Sequence, residues 1–165
     1  MSSFIVEIFT NYSRVIIFLH VMSAVLLVGS LFFIRFLFAP VLDKIEQDDI
    51  RYEAYLNLIK YFFLFITIVM IALVAFSIFM SVGLGLKFGD QTTYTVTHTK
   101  KIVWLMMILI FIAMYVKYRG AKRAMSSGVM VEVHENIILI VKYLIPANFI
   151  LSCISVYFGI IIRGF

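Results

Sequence analysis

Long apolar segments separated by short polar ones dominate the chain. Four of them, at residues 15–38, 61–86, 102–116 and 137–162, are long enough, or nearly so, to cross the roughly 30 Å hydrocarbon layer of a bilayer as helices. The third is short, but the uncharged "TYTVTHT" before it and "KYRGAKRAM" after it allow the helix to extend at both ends. The pattern therefore predicts an all-α fold with four membrane-spanning helices, because a lone strand would leave backbone groups unbonded in lipid.

The connections between these segments are short, which favours an up-down-up-down bundle formed by one domain, residues 1–165. The first connection continues into "DDIRYEAYLNLIK", where Asp48 or Asp49 is the expected N-cap of an amphipathic helix on the membrane surface. "SSG" at residues 126–128 predicts the break between spans three and four, and Pro146 predicts a kink in span four. The apolar positions of the amphipathic helix recur at helical spacing, at Tyr52, Tyr55, Leu56 and Ile59.

Composition supports a membrane protein. Of the 165 residues, 64% are hydrophobic and only 14% are charged, and the mean hydropathy is +1.08, more apolar surface than a soluble domain of this size could bury. The net charge of +5 fits basic residues that flank membrane spans and does not indicate a nucleic-acid partner. The single cysteine, Cys153, excludes a disulfide framework within the chain. The first residues lack a signal-peptide pattern, so we expect the first span to act as the anchor.

The basic residues predict an orientation in the membrane. Positive-inside bias favours cytoplasmic connections one and three, with both termini outside. The two predicted cytoplasmic connections hold Lys44, Arg51, Lys60, Lys117, Arg119, Lys122 and Arg123, against Arg14, Lys87, Lys100, Lys101 and Arg163 on the other side.

Histidines supply the main candidate chemistry. His20 lies about five residues into span one, and His98 lies just before span three on the same side. Two imidazoles from different helices can hold a haem iron axially. With the third span starting at residue 102, the two would be offset by about 10 Å, so the pairing requires that span to start earlier, with Lys100 and Lys101 snorkelling to the interface.

Other polar residues have two interpretations each. His134 is expected to be a tolerated interfacial residue, and Arg35 either anchors span one or serves a ligand. Lys142 enters span four from the side of Arg35, and two cations in one region repel unless an anion joins them. Either Glu132 and Glu135 supply that charge, or a carboxylate-bearing ligand such as a porphyrin does.

Span four also has a face of small polar residues that indicates close helix packing or a cofactor slot. The nine methionines follow no regular pattern, which disfavours copper ligation by them. No Walker motif, glycine-rich dinucleotide loop, CxxC, CxxCH or HExxH occurs, so nucleotide use and covalent haem are not expected. The small polar face comprises Asn148, Ser152, Ser155 and Gly159.

The stretch "LHVMSAVLLVGSLFF" resembles the first span of the CopD (copper resistance D) family, in which a histidine precedes an aromatic residue and a VGG-like turn. His20, Val28 and Gly29 match, whereas Leu27 stands at the family's tryptophan position and Ser30 at its second glycine. This resemblance implies copper transport or resistance.

The chain is also similar to the HemJ-type protoporphyrinogen oxidases, four-helix membrane proteins associated with a b-type haem. The resemblance implies a haem site that involves His20 and His98, with Arg35 and Lys100 near anionic groups. It is carried by a histidine, glycine and arginine in span one, a histidine-x-lysine element before span three and a glutamate before span four, here His20, Gly29, Arg35, His98, Lys100 and Glu135.

Together these patterns predict a haem b-binding inner-membrane redox protein, engaged in electron transfer or in HemJ-type porphyrinogen oxidation with electrons passed to quinone. His20 is the expected axial ligand and His98 its expected partner, and Lys100 or Lys101 would pair a haem propionate. The alternatives are CopD-like copper transport and a cofactor-free accessory subunit of a respiratory complex. A homo-oligomer is compatible with each, and no catalytic residue is assigned.

Overall fold

A chain embedded in lipid must satisfy its backbone hydrogen bonds within each segment, and continuous helices do this here. The computed structural model describes residues 2–85 and 91–162, and Leu86, Lys87 and Arg163 of the sequence-based predictions lie outside this part. In this described part, two π-helical turns interrupt the helices, at Ile34–Phe38 and Leu139–Leu144. The α-helices are α1 (Ser2–Phe33), α2 (Ala39–Leu42), α3 (Asp48–Gly83), α4 (Gln91–Ser126), α5 (Met130–Ile138) and α6 (Ile145–Ile162).

Four helical stretches are long and apolar enough to cross a membrane: Phe4–Leu42, Asp48–Gly83, Tyr94–Ser126 and Met130–Ile162. The first, third and fourth predicted segments fall within these stretches, and the second does so up to Gly83, where its helix ends before Leu84 and Gly85. The predicted all-α membrane bundle of four helices is therefore confirmed. The third span extends well beyond residues 102–116 at both ends, as its uncharged leading segment allowed.

The bundle packs unevenly around its core. α1 lies mainly against α3 and α6, while α4 lies mainly against α5 and α6. Large apolar side chains cover the outside, which suits lipid and not water. The largest side chains that are fully buried between the helices are Leu31, Ile59, Ile66, Met107, Met114, Ile140 and Ile145.

Connection one ends at a helix start that differs from the prediction. Gln47 is the N-cap of α3, whereas Asp48 and Asp49 lie in its first turn. The reason is Arg51, which donates to the carboxylate of Asp48 and, at 3.0 Å, to the carbonyl of Ile45. Asp48 therefore lies in the first turn of the helix, where its negative charge interacts favourably with the positive end of the helix dipole. The predicted amphipathic helix is continuous with span two and buries Tyr52, Tyr55 and Ile59.

The break between spans three and four occurs where the sequence predicted it. α4 ends at Ser126, and Gly128 follows with a φ of +73°, a conformation that disfavours side chains with a Cβ. The hydroxyl of Ser127 donates to the carbonyl of Arg123 and satisfies one end of the helix.

Both π-helical turns lie directly before a proline-containing helix start. Pro40 and Pro146 lack the N–H that would bond the carbonyl four residues earlier, which frees the carbonyls of Phe36 and Lys142. The wider π turn is a known way to absorb such a defect. A π turn lies directly before Pro146, where the sequence predicted a kink, and a second π turn lies before Pro40, which the sequence interpretation did not anticipate. The kink itself stays a prediction.

Candidate functional site

A cleft of about 200 Å³ opens at the end of the bundle that holds connections one and three. It lies between the end of span one, the first turns of α3 and the first half of span four. We call it the cationic cleft, and its lining consists of Arg35, Ala39, Asp43, Arg51, Tyr52, Tyr55, His134, Ile137, Ile138, Val141 and Lys142.

Each of the two π-helical turns supplies one cation to the lining of the cationic cleft. Arg35 belongs to the turn Ile34–Phe38 and Lys142 to the turn Leu139–Leu144, and the two turns contact one another. Arg35 is half-buried, with its guanidinium carbon 5.8 Å from the ring centroid of Phe36, while Lys142 is exposed. Because π turns widen a helix locally, they commonly occur at functional sites.

A network of hydrogen bonds forms the opposite wall. The hydroxyl of Tyr52 lies 2.7 Å from Nδ1 of His134, and Arg51 donates to the same hydroxyl at 3.3 Å. The hydroxyl of Tyr55 is within donating distance of the carboxylate of Asp43, at 2.7 Å, and of the carbonyl of Ala39, at 3.0 Å. Both tyrosines are nearly fully buried, so these contacts fix connection one and α5 against α3.

The cleft carries excess positive charge. Its lining holds three cationic side chains, Arg35, Arg51 and Lys142, and one carboxylate, Asp43. Over residues 2–85 and 91–162 the one ion pair is Arg51 with Asp48, so Arg35 and Lys142 have no carboxylate partner within this part of the chain. The neutralising carboxylates expected at positions 132 and 135 are exposed and do not form that pair. Two cations thus line a common space without forming an ion pair with a carboxylate of residues 2–85 and 91–162.

His20 lies on the buried face of α1. The buried residues of this helix include Ile16, Ser23, Leu27 and Leu31, and His20 falls between the first two at helical spacing. Its side chain is half-buried, whereas Leu19, Val21 and Met22 beside it are exposed. The histidine predicted as the principal ligand therefore faces the bundle interior.

His98 has a different environment. Its side chain is exposed on α4, and its ring lies against Tyr94 with the centroids 4.3 Å apart. Since α1 packs mainly on α3 and α6, the pairing of His98 with His20 stays a prediction. Lys101 is exposed as well.

Lys100 is half-buried and reaches toward span four. A Cβ built at Gly159 would lie 3.2 Å from Nζ of Lys100, so the missing side chain makes room for the ammonium group. Asn148 and Ser152, each 2% exposed, and Ser155 share the buried face of the same helix. The predicted small polar face of span four is therefore an interior face, and at Gly159 it accommodates a cation from α4.

No three side chains of the types His, Cys, Asp or Glu lie together in metal-binding positions within residues 2–85 and 91–162. Cys153 is exposed on α6. The sequence interpretation did not identify the cleft-lining residues between Asp43 and Tyr55 as part of a site. It predicted His134 to be a tolerated interfacial residue. The available signal was that two tyrosines occupied the buried face of a helix start, because a buried hydroxyl usually has a polar partner.

No protein-family description, no curated protein and no solved structure matches the chain.

Proposed function

We propose that this multi-pass membrane protein binds a carboxylate-bearing amphiphile, of which a porphyrin is the leading example, at the cationic cleft. The observation that carries the proposal is that Arg35 and Lys142 converge there from two adjoining π turns with no carboxylate partner in the described chain. An arginine fork and an ammonium group bind carboxylates strongly when partly shielded from water.

The rest of the lining suits a ligand that is polar at one end and apolar at the other. Tyr52 and Tyr55 line the cleft together with the cations. Ile137, Ile138 and Val141 form an apolar wall on span four. A flat apolar ring system with carboxylate arms can place its arms at Arg35 and Lys142 and its body along this wall. The resemblance to HemJ-type oxidases supports a porphyrin in particular.

The test is a titration of the purified protein in phosphatidylcholine nanodiscs with protoporphyrin IX, followed by the porphyrin absorption shift against empty nanodiscs. Arg35→Gln and Lys142→Gln should each raise the apparent Kd about tenfold or more, the amount expected for a lost charge-assisted hydrogen bond. Arg14→Gln and Lys60→Gln, which remove exposed charges outside the cleft lining, should leave the Kd within about twofold.

A second ligand tests whether binding depends on the carboxylates of the porphyrin. Protoporphyrin IX dimethyl ester has the same ring but no negative charge, so it should bind weakly and with equal affinity to the native protein and to both cleft variants. Equal affinity of the acid and the ester for the native protein would contradict the proposal, as would an equal loss in the two control variants.

A second candidate function is electron transfer by a haem b. The inward-facing position of His20 favours it, because ionisable side chains inside a membrane bundle are commonly functional. His20 would hold the iron, and the half-buried ammonium of Lys100 is available to a propionate. When bound, the group would supply one-electron redox chemistry.

A reduced-minus-oxidised spectrum of protein expressed with haem supply tests this candidate. We expect a Soret band that disappears in His20→Ala and persists in His134→Ala. A colourless protein would exclude it. Copper sensitivity on deletion would then favour copper handling, and co-purification with respiratory subunits would favour an accessory role.

The membrane and its orientation belong to the proposal as well. Positive-inside bias supports a bacterial inner membrane with the cationic cleft on the cytoplasmic side and both termini periplasmic. A cytoplasmic cleft is accessible to a water-exposed carboxylate as well as to lipid. A redox role would pass electrons to quinone or to a respiratory partner, and a homo-oligomer is compatible with it.

A further inference from the structure

Charge is distributed very unevenly over the helices. α4 contains no aspartate or glutamate between Gln91 and Ser126. Its last turns hold four exposed cations within seven residues, from Lys117 to Arg123. The acidic residues at the same end of the bundle lie on connection one, the start of α3 and α5. The end of α4 therefore carries only positive charge.

Three of these cations continue a lipid-facing stripe. Ile112, Tyr115 and Val116 are 53%, 47% and 60% exposed, and they face outward from a helix that is apolar enough to span a membrane. Arg119, Lys122 and Arg123 follow at i+7, i+10 and i+11 from Ile112, which places all six side chains on one helix face. We call these three cations the basic band. The opposite face is buried at Tyr118, Ala121 and Ala124.

With the hydrocarbon layer ending at Val116, the last residue of the predicted third span, the basic band is at the depth of the lipid headgroups. Along the axis Arg119 is about 4.5 Å and Arg123 about 10 Å beyond the apolar Val116. The headgroup layer is on the order of 5–8 Å thick, and long basic side chains can reach back into it. Within residues 2–85 and 91–162 no carboxylate forms an ion pair with the band, so its charges are available to an external anion.

We propose that the basic band is a binding surface for anionic phospholipid headgroups. Acyl chains would lie along Ile112, Tyr115 and Val116, and the phosphate would meet Arg119, Lys122 and Arg123. Clusters of basic residues next to a membrane span are the usual determinant of anionic-lipid recognition. The same face offers both parts, an apolar stripe and a cationic end, which a phospholipid matches and a soluble acidic protein does not. This surface is separate from the cationic cleft, whose lining contains none of the six residues.

The experiment measures which lipids the protein retains. Full-length protein is purified from nanodiscs that contain equal amounts of phosphatidylglycerol and phosphatidylcholine, and native mass spectrometry gives the ratio of bound lipids. The native protein should retain phosphatidylglycerol in about tenfold excess. The variant with Arg119→Gln, Lys122→Gln and Arg123→Gln should lower that ratio at least about fivefold, because neutral side chains no longer attract an anionic headgroup.

A matched variant removes the same charge elsewhere. Arg14→Gln, Lys44→Gln and Lys60→Gln replace three exposed cations outside the band and should change the ratio less than about twofold. Equal ratios in the native and band variants overturn the proposal, and so do equal decreases in the band and control variants.

A measurement on the native protein alone covers the case in which the band variant fails to fold. Raising the salt concentration from 0.1 M to 1 M shortens the Debye length from about 10 Å to about 3 Å, so the preference for phosphatidylglycerol should fall severalfold. A preference that salt does not change, or no preference at any salt concentration, overturns the proposal.

Discussion

A tyrosine buried in a lipid-embedded bundle needs an acceptor for its hydroxyl, because neither lipid chains nor apolar side chains provide one. Tyr55 is only 3% exposed and is within donating distance of Asp43 and of the carbonyl of Ala39. Ala39 belongs to the end of span one and Asp43 follows that span directly, whereas Tyr55 belongs to α3. This one hydroxyl therefore holds two spans together beside the cationic cleft.

Tyr55→Phe should lower the free energy of unfolding by about 1.5–3 kcal/mol, the range for a hydrogen bond to a charged acceptor. The measurement is reversible unfolding in mixed micelles of detergent and denaturant. Tyr61→Phe is the control, because Tyr61 is 65% exposed on the outer face of the same helix, and it should have little effect. Equal losses in the two variants would show that the hydroxyl of Tyr55 has no special role.

Two glycines test packing between the first two spans. A Cβ at Gly83 would lie 2.2 Å from the ring of Phe9, so Gly83→Ala forces Phe9 to move and should cost about 1–3 kcal/mol. Gly29 has no atom within 4 Å of the same position, so Gly29→Ala should be neutral or stabilising by up to about 1 kcal/mol. Thermal unfolding of both variants in detergent checks this, and a neutral Gly83→Ala would contradict the observed contact.

At the scale of elements, two proline-linked π turns give the bundle its irregular end. Each π turn accommodates the loss of the backbone hydrogen bond that its proline cannot make. Each also places one basic residue in the lining of the cationic cleft. The same local defect thus occurs in spans one and four at the level where the two helices meet. The defect and the position of the cation are linked, because the π turn sets the direction in which the side chain points.

Pro146→Ala should test that link. The new N–H can bond the freed carbonyl of Lys142 and convert the π turn toward regular α-helix, which rotates Lys142 relative to the cleft. We expect porphyrin affinity to fall about tenfold while the unfolding temperature stays equal or rises, because an interior proline is costly in a helix. Protection of the new backbone amide at position 146 from hydrogen exchange, together with unchanged affinity, would contradict the link.

Much of the structure at the scale of helices was predictable from the sequence. The apolar segments and the break near Gly128 follow from periodicity and backbone chemistry, and the structure has both. The sequence predicted a kink at Pro146, and the structure has a π turn directly before that residue. The N-cap of α3 did not follow, since Arg51 and Ile45 together decided where that helix begins. Capping depends on which side-chain partners are nearby, and a linear pattern does not contain that information.

For the whole molecule, the four antiparallel spans place connections one and three at one end and both termini at the other. A cysteine-accessibility experiment in a Cys153→Ser background checks this arrangement. With a membrane-impermeant maleimide, Lys44→Cys and Ser127→Cys should label from the same side in sealed vesicles, and Asn11→Cys from the opposite side; all three positions are exposed. Labelling of Asn11→Cys and Ser127→Cys from one side would contradict the four-span topology.

The candidate site was predictable only in part. Sequence interpretation singled out His20, Arg35 and Lys142 because ionisable groups in apolar segments are conspicuous. It did not bring Arg35 and Lys142 together with Arg51, Tyr52 and His134, because these residues come from three separate segments. Their convergence depends on how the spans pack, which periodicity does not specify.

The sequence by itself determined that the chain forms four apolar helices in a membrane, because hydrocarbon excludes any backbone without internal hydrogen bonds. It also identified the ionisable residues within the apolar segments whose position requires an explanation. Only the tertiary structure decided that His20 faces inward while His98 is exposed, and that two proline-linked turns direct Arg35 and Lys142 into one cleft. The physical reason is that apolar side chains pack in many ways at nearly equal cost. Helix rotation and neighbour choice are therefore set by contacts between distant segments, and local pattern does not fix them.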